Sequence, residues 1–361
     1  MWPNRRLLDL VGIELPIIQA PMAGANGSAM AIAVSDAGGL GSLPCAMLDA
    51  AKVRAEIGII RQRTAKPVNV NFFCHTPAKP DPDRAAAWKA RLATYYTELG
   101  LDTSAAAPAI NRAPFDEAMC EIVEDLKPEV VSFHFGLPAR ELLGRVKASG
   151  CIVLGSATTV AEARWLEDNG CDAIIAQGSE AGGHRGMFLA DDIATQSGTF
   201  ALVPQIVDAV KAPVIAAGGI ADGRGIVAAF ALGAAGAQIG TAYLFTPEAS
   251  ITDPHRAALR IVRDDQTALT NVFTGRPARG IMNRLMREVG PMSDMAPAFP
   301  TAGGALAPLK AKAEAAGAGD FSPLWSGQAA SLGREVGSGD LTLRLAADAA
   351  RRLKALAPKP S

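Results

Sequence analysis

The feature that most constrains the fold is a repeat: a short apolar run, a polar or glycine-containing end, and then a helical pattern. The runs are continuous rather than alternating, as expected of parallel strands that are covered on both faces. Eight such runs, mostly separated by helix-length gaps, predict an α/β fold, a (β/α)8 TIM-type barrel, rather than an open sheet. The predicted strands are Ile17–Met22, Gly39–Leu43, Val68–Phe73, Val130–Phe135, Ile152–Ser156, Ala173–Gln177, Val214–Ala217 and Ala237–Leu244.

Helix-end signals between the runs support the same alternation. Thr159 and Glu162 have the spacing of a capping box, and Gly170 stands where a left-handed terminator is expected. Asp222 is a suitable N-cap for a helix that ends at Gly233. The sequence therefore predicts helix followed by strand from local chemistry as well as from spacing.

Two stretches interrupt the repeat and divide the chain. Residues 76–115 and 250–320 do not have barrel patterning, and together they predict a smaller, mostly helical cap, or substrate region, over the carboxyl ends of the strands. Residues 1–75 and 116–249 then form the barrel, and 321–361 pack back on it.

Composition excludes several classes of function. Among 361 residues, 35 Lys and Arg balance 36 Asp and Glu, so no basic face is indicated that would bind nucleic acid. The five cysteines include no Cys-x-x-Cys pair, and neither a disulfide framework nor a metal site is expected. The charge-free segment 226–245 contains several glycines and is interpreted as a buried helix and strand rather than a membrane span. Without a signal-like start, the chain is expected to be cytoplasmic.

Glycines follow the last two predicted strands. Gly218 and Gly219 come after the seventh strand and Gly240 after the eighth, which is the usual position of a phosphate site in such barrels. The helix that begins at Asp222 points its positive end the same way. Tight packing of strand against helix would also explain paired glycines, but their position after both strands favours phosphate binding.

The segment after the sixth strand has four glycines within residues 178–186, and they surround His184. Such a backbone can approach a flat ligand closely and present the imidazole to it. His134 is either a substrate-side residue or a hydrogen-bonded core residue. His75 is interpreted as structural, and His255, in a polar helix start, as solvated.

Common catalytic motifs are absent from the sequence. There is no G-x-S-x-G, no H-E-x-x-H, no P-loop and no strand-end lysine, so a bound cofactor is expected to carry the reaction. The phosphate site and the amide side chains of Asn71, Gln177 and Gln238 suit flavin mononucleotide (FMN), whose ring offers several hydrogen-bonding atoms.

Six segments carry a resemblance to a known family: Gln-Ala-Pro-Met-Ala-Gly (19–24), Asn-Val-Asn-Phe-Phe (69–73), Ser-Phe-His-Phe-Gly (132–136), Gln-Gly-Ser-Glu-Ala-Gly-Gly-His-Arg-Gly (177–186), Ala-Ala-Gly-Gly-Ile-Ala-Asp-Gly (216–223) and Gln-Ile-Gly-Thr (238–241). They resemble the nitronate monooxygenase family, formerly called 2-nitropropane dioxygenases. The similarity continues through 274–280 and 325–328 and so covers nearly the whole chain. The 180–184 stretch is typical of a flavin superfamily that also includes enoyl-acyl-carrier-protein reductases and NADH:quinone reductases.

The resemblance implies a set of site residues. His184 matches the active-site histidine and would act as general base on neutral nitroalkanes, or orient an ionised nitronate. His134, Tyr95 and Tyr96 are secondary substrate-side candidates. The implied FMN contacts are Met22, Ala23, Asn71, Gln177, Ala181, Gly182, Gly218, Gly219, Gln238, Ile239, Gly240 and Thr241.

The resemblance also implies an activity: oxidation of small alkyl nitronates such as propionate 3-nitronate by FMN and O₂, to carbonyl compounds and nitrite, as a detoxification. An NAD(P)H-dependent flavin reductase acting on a quinone or an enoyl thioester is the alternative enzyme. A non-catalytic flavin-binding protein is the third possibility, since fold alone does not establish activity. Neither membrane nor nucleic acid is an expected partner, and the sequence does not indicate an oligomeric state.

Overall fold

The computed structural model describes residues 2–104, 108 and 112–357. Positions 1, 105–107, 109–111 and 358–361, which belong to three of the predicted segments, lie outside the described residues. The strands are β1 (Ile17–Gln19), β2 (Gly41–Pro44), β3 (Val68–Phe73), β4 (Val130–His134), β5 (Ile152–Ala157), β6 (Ala173–Gln177), β7 (Gly183–His184), β8 (Val214–Ala217), β9 (Gly236–Ile239), β10 (Thr267–Thr270) and β11 (Ala278–Ile281). The α-helices are α1 (Arg6–Val11), α2 (Ser28–Asp36), α3 (Ala50–Arg63), α4 (Pro82–Glu98), α5 (Glu117–Leu126), α6 (Arg140–Ala148), α7 (Val160–Asp168), α8 (Thr199–Ala209), α9 (Gly223–Ala231), α10 (Asp253–Ile261), α11 (Arg284–Val289), α12 (Gly303–Ala315) and α13 (Ser338–Leu356).

Eight parallel strands form the barrel, in the order β1-β9-β8-β6-β5-β4-β3-β2. The first and last strands meet through a parallel bridge between Ile18 and Leu40, where the Gln19 N–H donates to the Leu40 carbonyl at 2.9 Å. The strands are buried almost throughout, in agreement with their continuous apolar character. The predicted (β/α)8 barrel is confirmed, and all carboxyl ends of its strands face one side.

The helix caps agree with the sequence signals, with one difference at the start of α7. Asp222 accepts from the Arg224 N–H at 2.9 Å and begins α9, as predicted. Thr159 accepts from the Glu162 N–H at 3.1 Å, which is half of the predicted capping box. The Glu162 carboxylate does not complete it, because it binds the Thr158 N–H and hydroxyl, each at 2.7 Å.

The two stretches that interrupt the repeat pack against each other. Trp88 and Leu92 of α4 lie in one apolar cluster with Leu306 and Leu309 of α12 and with Phe321. A three-stranded sheet, in the order β10-β11-β7, lies beside this helical cluster. Its strand β7 comes from the segment after β6, so the barrel supplies one strand to the cap. Trp325 packs against the same cluster, so we include residues 321–325 in the cap. The other limits of the two-part division stay a prediction.

Two predicted strands end several residues earlier than expected. The run Ile17–Met22 leaves the strand conformation after Gln19. The run Ala237–Leu244 leaves the strand conformation after Ile239, and Thr241–Phe245 forms a 3₁₀ turn. Continuous apolar character does not distinguish a strand from a buried turn, and the break comes at Gly240. In the part of the chain that the structure describes, no helix is long and apolar enough to cross a bilayer.

Candidate active site

A cavity of about 370 Å³ opens at the carboxyl ends of the barrel strands. Its walls come from the ends of β1, β3, β4, β6, β8 and β9, and from the cap through α12 and residues 322–325. This is the face on which barrel enzymes place their active sites. No cluster of metal-binding side chains occurs among the described residues.

Three glycines define one end of this cavity, which we call the glycine end: Gly218, Gly219 and Gly240. Gly218 and Gly219 have φ angles of +113° and +70°, which favour glycine. Within the described chain, the N–H groups of the three glycines donate no hydrogen bond to the protein. Free backbone N–H groups close to the start of α9 make a site for an anion such as a phosphate.

Polar side chains at the barrel mouth fit a ring with hydrogen-bonding atoms. The Gln238 Oε1 atom is buried beside the cavity and has no partner among the described residues, so a donor on a ligand would satisfy it. The Asn71 amide is held by Ser132, donating to its hydroxyl at 2.9 Å and to its carbonyl at 3.1 Å. These groups fit a flavin, which carries both donors and acceptors on its ring.

His184 lies on β7, in register with Ala278 of β11. Its Nε2 atom is 2.9 Å from the Thr274 hydroxyl, which is itself 3.4 Å from the Arg276 carbonyl. The His184 carbonyl receives the side chain of Gln177 at 3.0 Å and lies 3.3 Å from the Nε2 atom of His134. The imidazole position is therefore fixed from both the cap and the barrel.

Buried charged groups hold the rest of the segment around His184. The Arg185 side chain is fully buried and donates to the Gln177 carbonyl at 2.7 Å and to the Gln196 side chain at 2.9 Å. The Glu162 carboxylate accepts from the Phe188 N–H at 2.6 Å. Since buried charges need several partners, these contacts keep the segment in a single conformation.

Aromatic rings surround His184, which also lines this cavity. Around the imidazole of His184, the ring centroids lie at 5.3 Å for Phe299, 5.4 Å for Trp325, 6.0 Å for Phe135 and 6.3 Å for Phe73. We call these five residues the aromatic end. Apolar rings exclude water, so electrostatic interactions with a bound substrate are stronger here than in solvent.

Burial among these rings keeps the histidines neutral. Burial, together with the charge of Arg112, lowers the pKa of His184 well below its ordinary value. Burial, reinforced by Arg276, lowers the pKa of His134 to about 3. Near neutral pH both imidazoles are therefore uncharged. One ring nitrogen of each carries a hydrogen, and the other carries a lone pair.

Most of the site residues predicted from the sequence do line this cavity. They are Met22, Ala23, Asn71, His134, Gln177, Ala181, Gly182, His184, Gly218, Gly219, Gln238, Gly240 and Thr241. The Gln177 amide also binds protein backbone at both of its ends, since its Oε1 accepts from the Gly186 N–H at 2.7 Å. Ile239 instead points its side chain into the apolar cluster of the barrel wall, with Ile17.

The two tyrosines do not take the predicted substrate-side position. Tyr95 and Tyr96 lie on the face of α4 that packs into the cap, and the Tyr96 hydroxyl donates to the Ala305 carbonyl at 2.6 Å. His255 is also different from its prediction. It is buried, lines the cavity and places Nε2 at 3.0 Å from the Trp325 carbonyl.

Several site residues carry neither a strand-end nor a glycine signal in the sequence. Thr274, Phe299 and Trp325 reach His184 from the cap, and Arg112 lines the cavity from the segment before α5. None of them follows a barrel strand. The segments 274–280 and 325–328 belong to the family resemblance, which is the one signal that marks two of these residues.

Comparison with known proteins is consistent with this site. Residues 4–348 match the family described as nitronate monooxygenase. The chain is 42% identical over 344 residues to a nitronate monooxygenase of Paraburkholderia phytofirmans, covering 95% of this chain and 94% of that one. Its structure is similar to a nitroalkane oxidase from Streptomyces ansochromogenes, with a TM-score of 0.89, 39% identity and coverage of 98% and 100% of the two chains. FabK from Thermotoga maritima is also similar, with a TM-score of 0.75, 27% identity and 99% coverage of each chain.

Proposed function

Because the chain belongs to the nitronate monooxygenase family, a flavin-dependent family of oxidoreductases, we propose that it oxidises small alkyl nitronates with O₂ to carbonyl compounds and nitrite. Propionate 3-nitronate is the substrate we propose to test first, and detoxification is the role that follows. The observation that carries the proposal is His184, a partly buried neutral imidazole at the aromatic end of a cavity whose glycine end offers free backbone N–H groups.

FMN is the flavin that we propose for this site. The N–H groups of Gly218, Gly219 and Gly240 would bind its phosphate, and the Gln238 Oε1 atom would accept a hydrogen bond from its ring. The contacts implied at Met22, Ala23, Asn71, Gln177, Ala181, Gly182, Ile239 and Thr241 are part of the same proposal, with Ile239 contributing through its backbone. When bound, FMN supplies the redox chemistry, accepting electrons from the nitronate and returning them to oxygen.

His184 has two roles in this proposal. The Thr274 hydroxyl, donating to the Arg276 carbonyl, accepts a hydrogen bond from Nε2–H of His184 and leaves Nδ1 unprotonated. Nδ1 would take the α-proton of a neutral nitroalkane, whereas an ionised nitronate needs no proton removal and is only oriented. His134, whose Nε2 lies 3.3 Å from the His184 carbonyl, is proposed as a secondary substrate-side residue.

An NAD(P)H-dependent flavin reductase is the second candidate. The specific observation in its favour is the similarity to FabK, which extends over 99% of both chains at 27% identity. Acceptors such as a quinone or an enoyl thioester would then replace O₂.

Oxygen uptake by the purified flavin-loaded protein distinguishes the two candidates. Propionate 3-nitronate is added in one reaction and NADH or NADPH in a parallel one, and the flavin released by acid is identified by chromatography. Rapid uptake with the nitronate alone, and release of FMN, is the expected result. Uptake or flavin bleaching only with a nicotinamide would overturn the monooxygenase proposal in favour of the reductase.

A further inference from the structure

We propose that Arg112 is an anion-recognition residue of the cavity and binds a planar two-oxygen anion of the substrate. That anion is either the nitronate group itself or a carboxylate at the other end of the substrate. The inference deepens the proposed function, because it assigns a residue to substrate charge.

Arg112 lies at the aromatic end. It lines the cavity just before α5, and its guanidinium carbon is 5.8 Å from the centroid of the Phe299 ring. The same phenylalanine ring lies 5.3 Å from the imidazole of His184. A group held by the guanidinium is therefore next to the reacting end of the cavity rather than at the glycine end.

No described residue supplies a counter-ion to the guanidinium. Its Nε atom is buried and has no hydrogen-bond partner among the described residues, and no described carboxylate forms an ion pair with it. Lys310, the other cation of the cavity wall, differs because its Nζ is 3.9 Å from the Glu314 carboxylate. A largely buried cation without a partner is unfavourable, and an anionic ligand would remove that penalty.

The planar shape of the Arg112 guanidinium indicates which class of ligand it binds. A guanidinium presents its N–H donors in a flat fork that matches two oxygens on one planar centre, in a bidentate contact. Nitronates and carboxylates both have this geometry. The rings of Phe73, Phe135 and Phe299 form one apolar cluster beside it, so the contact would be shielded from water.

The experiment uses flavin-loaded wild-type protein, Arg112→Gln and Arg112→Lys, with Arg63→Gln as the matched control. Arg63 is exposed at the end of α3 and does not line the cavity, so its loss removes one charge outside the cavity lining. KM is measured for propionate 3-nitronate and for ethyl nitronate, which lacks the carboxylate. Binding of propanoate, which lacks the nitronate, is measured by calorimetry.

We expect Arg112→Gln to raise KM for propionate 3-nitronate about 10- to 100-fold, with Arg112→Lys intermediate and Arg63→Gln unchanged. If the carboxylate is the ligand, KM for ethyl nitronate stays constant and propanoate binding disappears. If the nitronate is the ligand, both KM values rise together.

Less than twofold change in both KM values and in propanoate affinity, at wild-type flavin content, would overturn the proposal. Calorimetry separates this failure from failure of the proposed function. If no nitronate is oxidised by the wild type, loss of propanoate binding in Arg112→Gln still tests the anion site.

Discussion

The glycine end and the aromatic end of the cavity are built on different principles. The glycine end uses backbone N–H groups at the ends of β8 and β9, and its geometry comes directly from the barrel. The aromatic end uses side chains, and Phe299 and Trp325 reach it from the cap. In the proposed function, the barrel would anchor the cofactor, and the cap would contribute to the choice of substrate.

The two ends also differ in the source of their positive potential, which is the backbone at one end and charged side chains at the other. Peptide dipoles supply the positive potential at the glycine end, and a dipole needs no counter-ion. At the aromatic end, burial suppresses the charge of the histidines, and the charge that persists is that of Arg112 and Arg276. In the proposed function, the glycine end would hold an anion that stays bound, and the aromatic end an anion that is consumed.

Replacing His184 with asparagine separates the two ends most sharply. We expect kcat for neutral nitroalkanes to fall by about 10²- to 10⁴-fold, because the proton acceptor is lost. FMN content should stay at the wild-type level, because the glycine end is unchanged. The measurements are steady-state oxygen uptake with nitroethane and with ethyl nitronate, and the flavin-to-protein ratio. Equal losses for the two substrates would contradict the assignment of His184 as a base.

Substitution of Gly218 by alanine should weaken FMN binding and leave the proton acceptor, His184, in place. An added Cβ would lie 2.9 Å from the Thr199 hydroxyl oxygen and 3.0 Å from the Ala181 nitrogen, at a φ of +113°. Crowding and strain of roughly 1–3 kcal/mol would weaken FMN binding by about 10- to 100-fold. Fluorescence titration of the apoprotein with FMN measures this, and Gly144→Ala, where a Cβ meets nothing within 4 Å, is the control. Equal FMN affinity in both variants would argue against a cofactor at the glycine end.

A smaller effect is expected at Thr274. The Thr274→Val variant removes the hydroxyl at 2.9 Å from His184 Nε2 and leaves that N–H without its acceptor. Loss of one such hydrogen bond, about 1 kcal/mol, should reduce kcat/KM for nitroethane about fivefold and shift its pH profile. Thr274→Ser keeps the hydroxyl and should restore both. A purely structural role would lower thermal stability and leave the pH profile unchanged.

The smallest expected effect is a decrease in the free energy of unfolding at acidic pH. Because the pKa of His134 is about 3 in the folded protein and near 6.5 when unfolded, protonation below pH 6.5 favours the unfolded chain. The contribution of His134 to the free energy of unfolding should fall by about 1.4 kcal/mol between pH 7.5 and 5.5, and continue to fall towards pH 3.

Urea unfolding of flavin-loaded wild-type protein and His134→Gln at both pH values measures this difference. The variant should lose less stability on acidification than the wild type. His75 and His255, whose pKa values burial lowers to about 4, provide similar losses in both proteins. Identical pH dependence in the two proteins would show that His134 titrates normally.

The sequence was sufficient to predict the barrel because each strand is a continuous apolar run and its helix caps are local. It was also sufficient to place Gly218, Gly219 and His184 at the cavity, since the strand order of a barrel brings consecutive strand ends together. The prediction of their positions depends on short-range sequence patterns and on one rule of the barrel fold. No knowledge of long-range packing is needed to place them.

The rest of the site depends on tertiary packing that has no local pattern. The apolar face of α4 carries Tyr95 and Tyr96 towards α12, so the tyrosines are part of the cap interior. His255 begins a helix with a polar sequence, but the Trp325 carbonyl covers it. Arg112 and Phe299 come together from positions almost 190 residues apart in sequence. The spacing of apolar residues predicts which face of a helix is buried. It does not predict which part of the chain packs against that face.

His184 lies on a strand, and this has a consequence for exchange with solvent and for tolerance to insertion. Its register against Ala278 means that a slip of one residue would turn the imidazole to the opposite face of the ladder. The N–H of Arg185, bonded to the Pro277 carbonyl at 2.9 Å, belongs to the same ladder. Deuterium would therefore enter β7 and β11 together, as one cooperative unit. A movement of the cap that keeps the pairing of β7 with β11 intact would carry His184 with it.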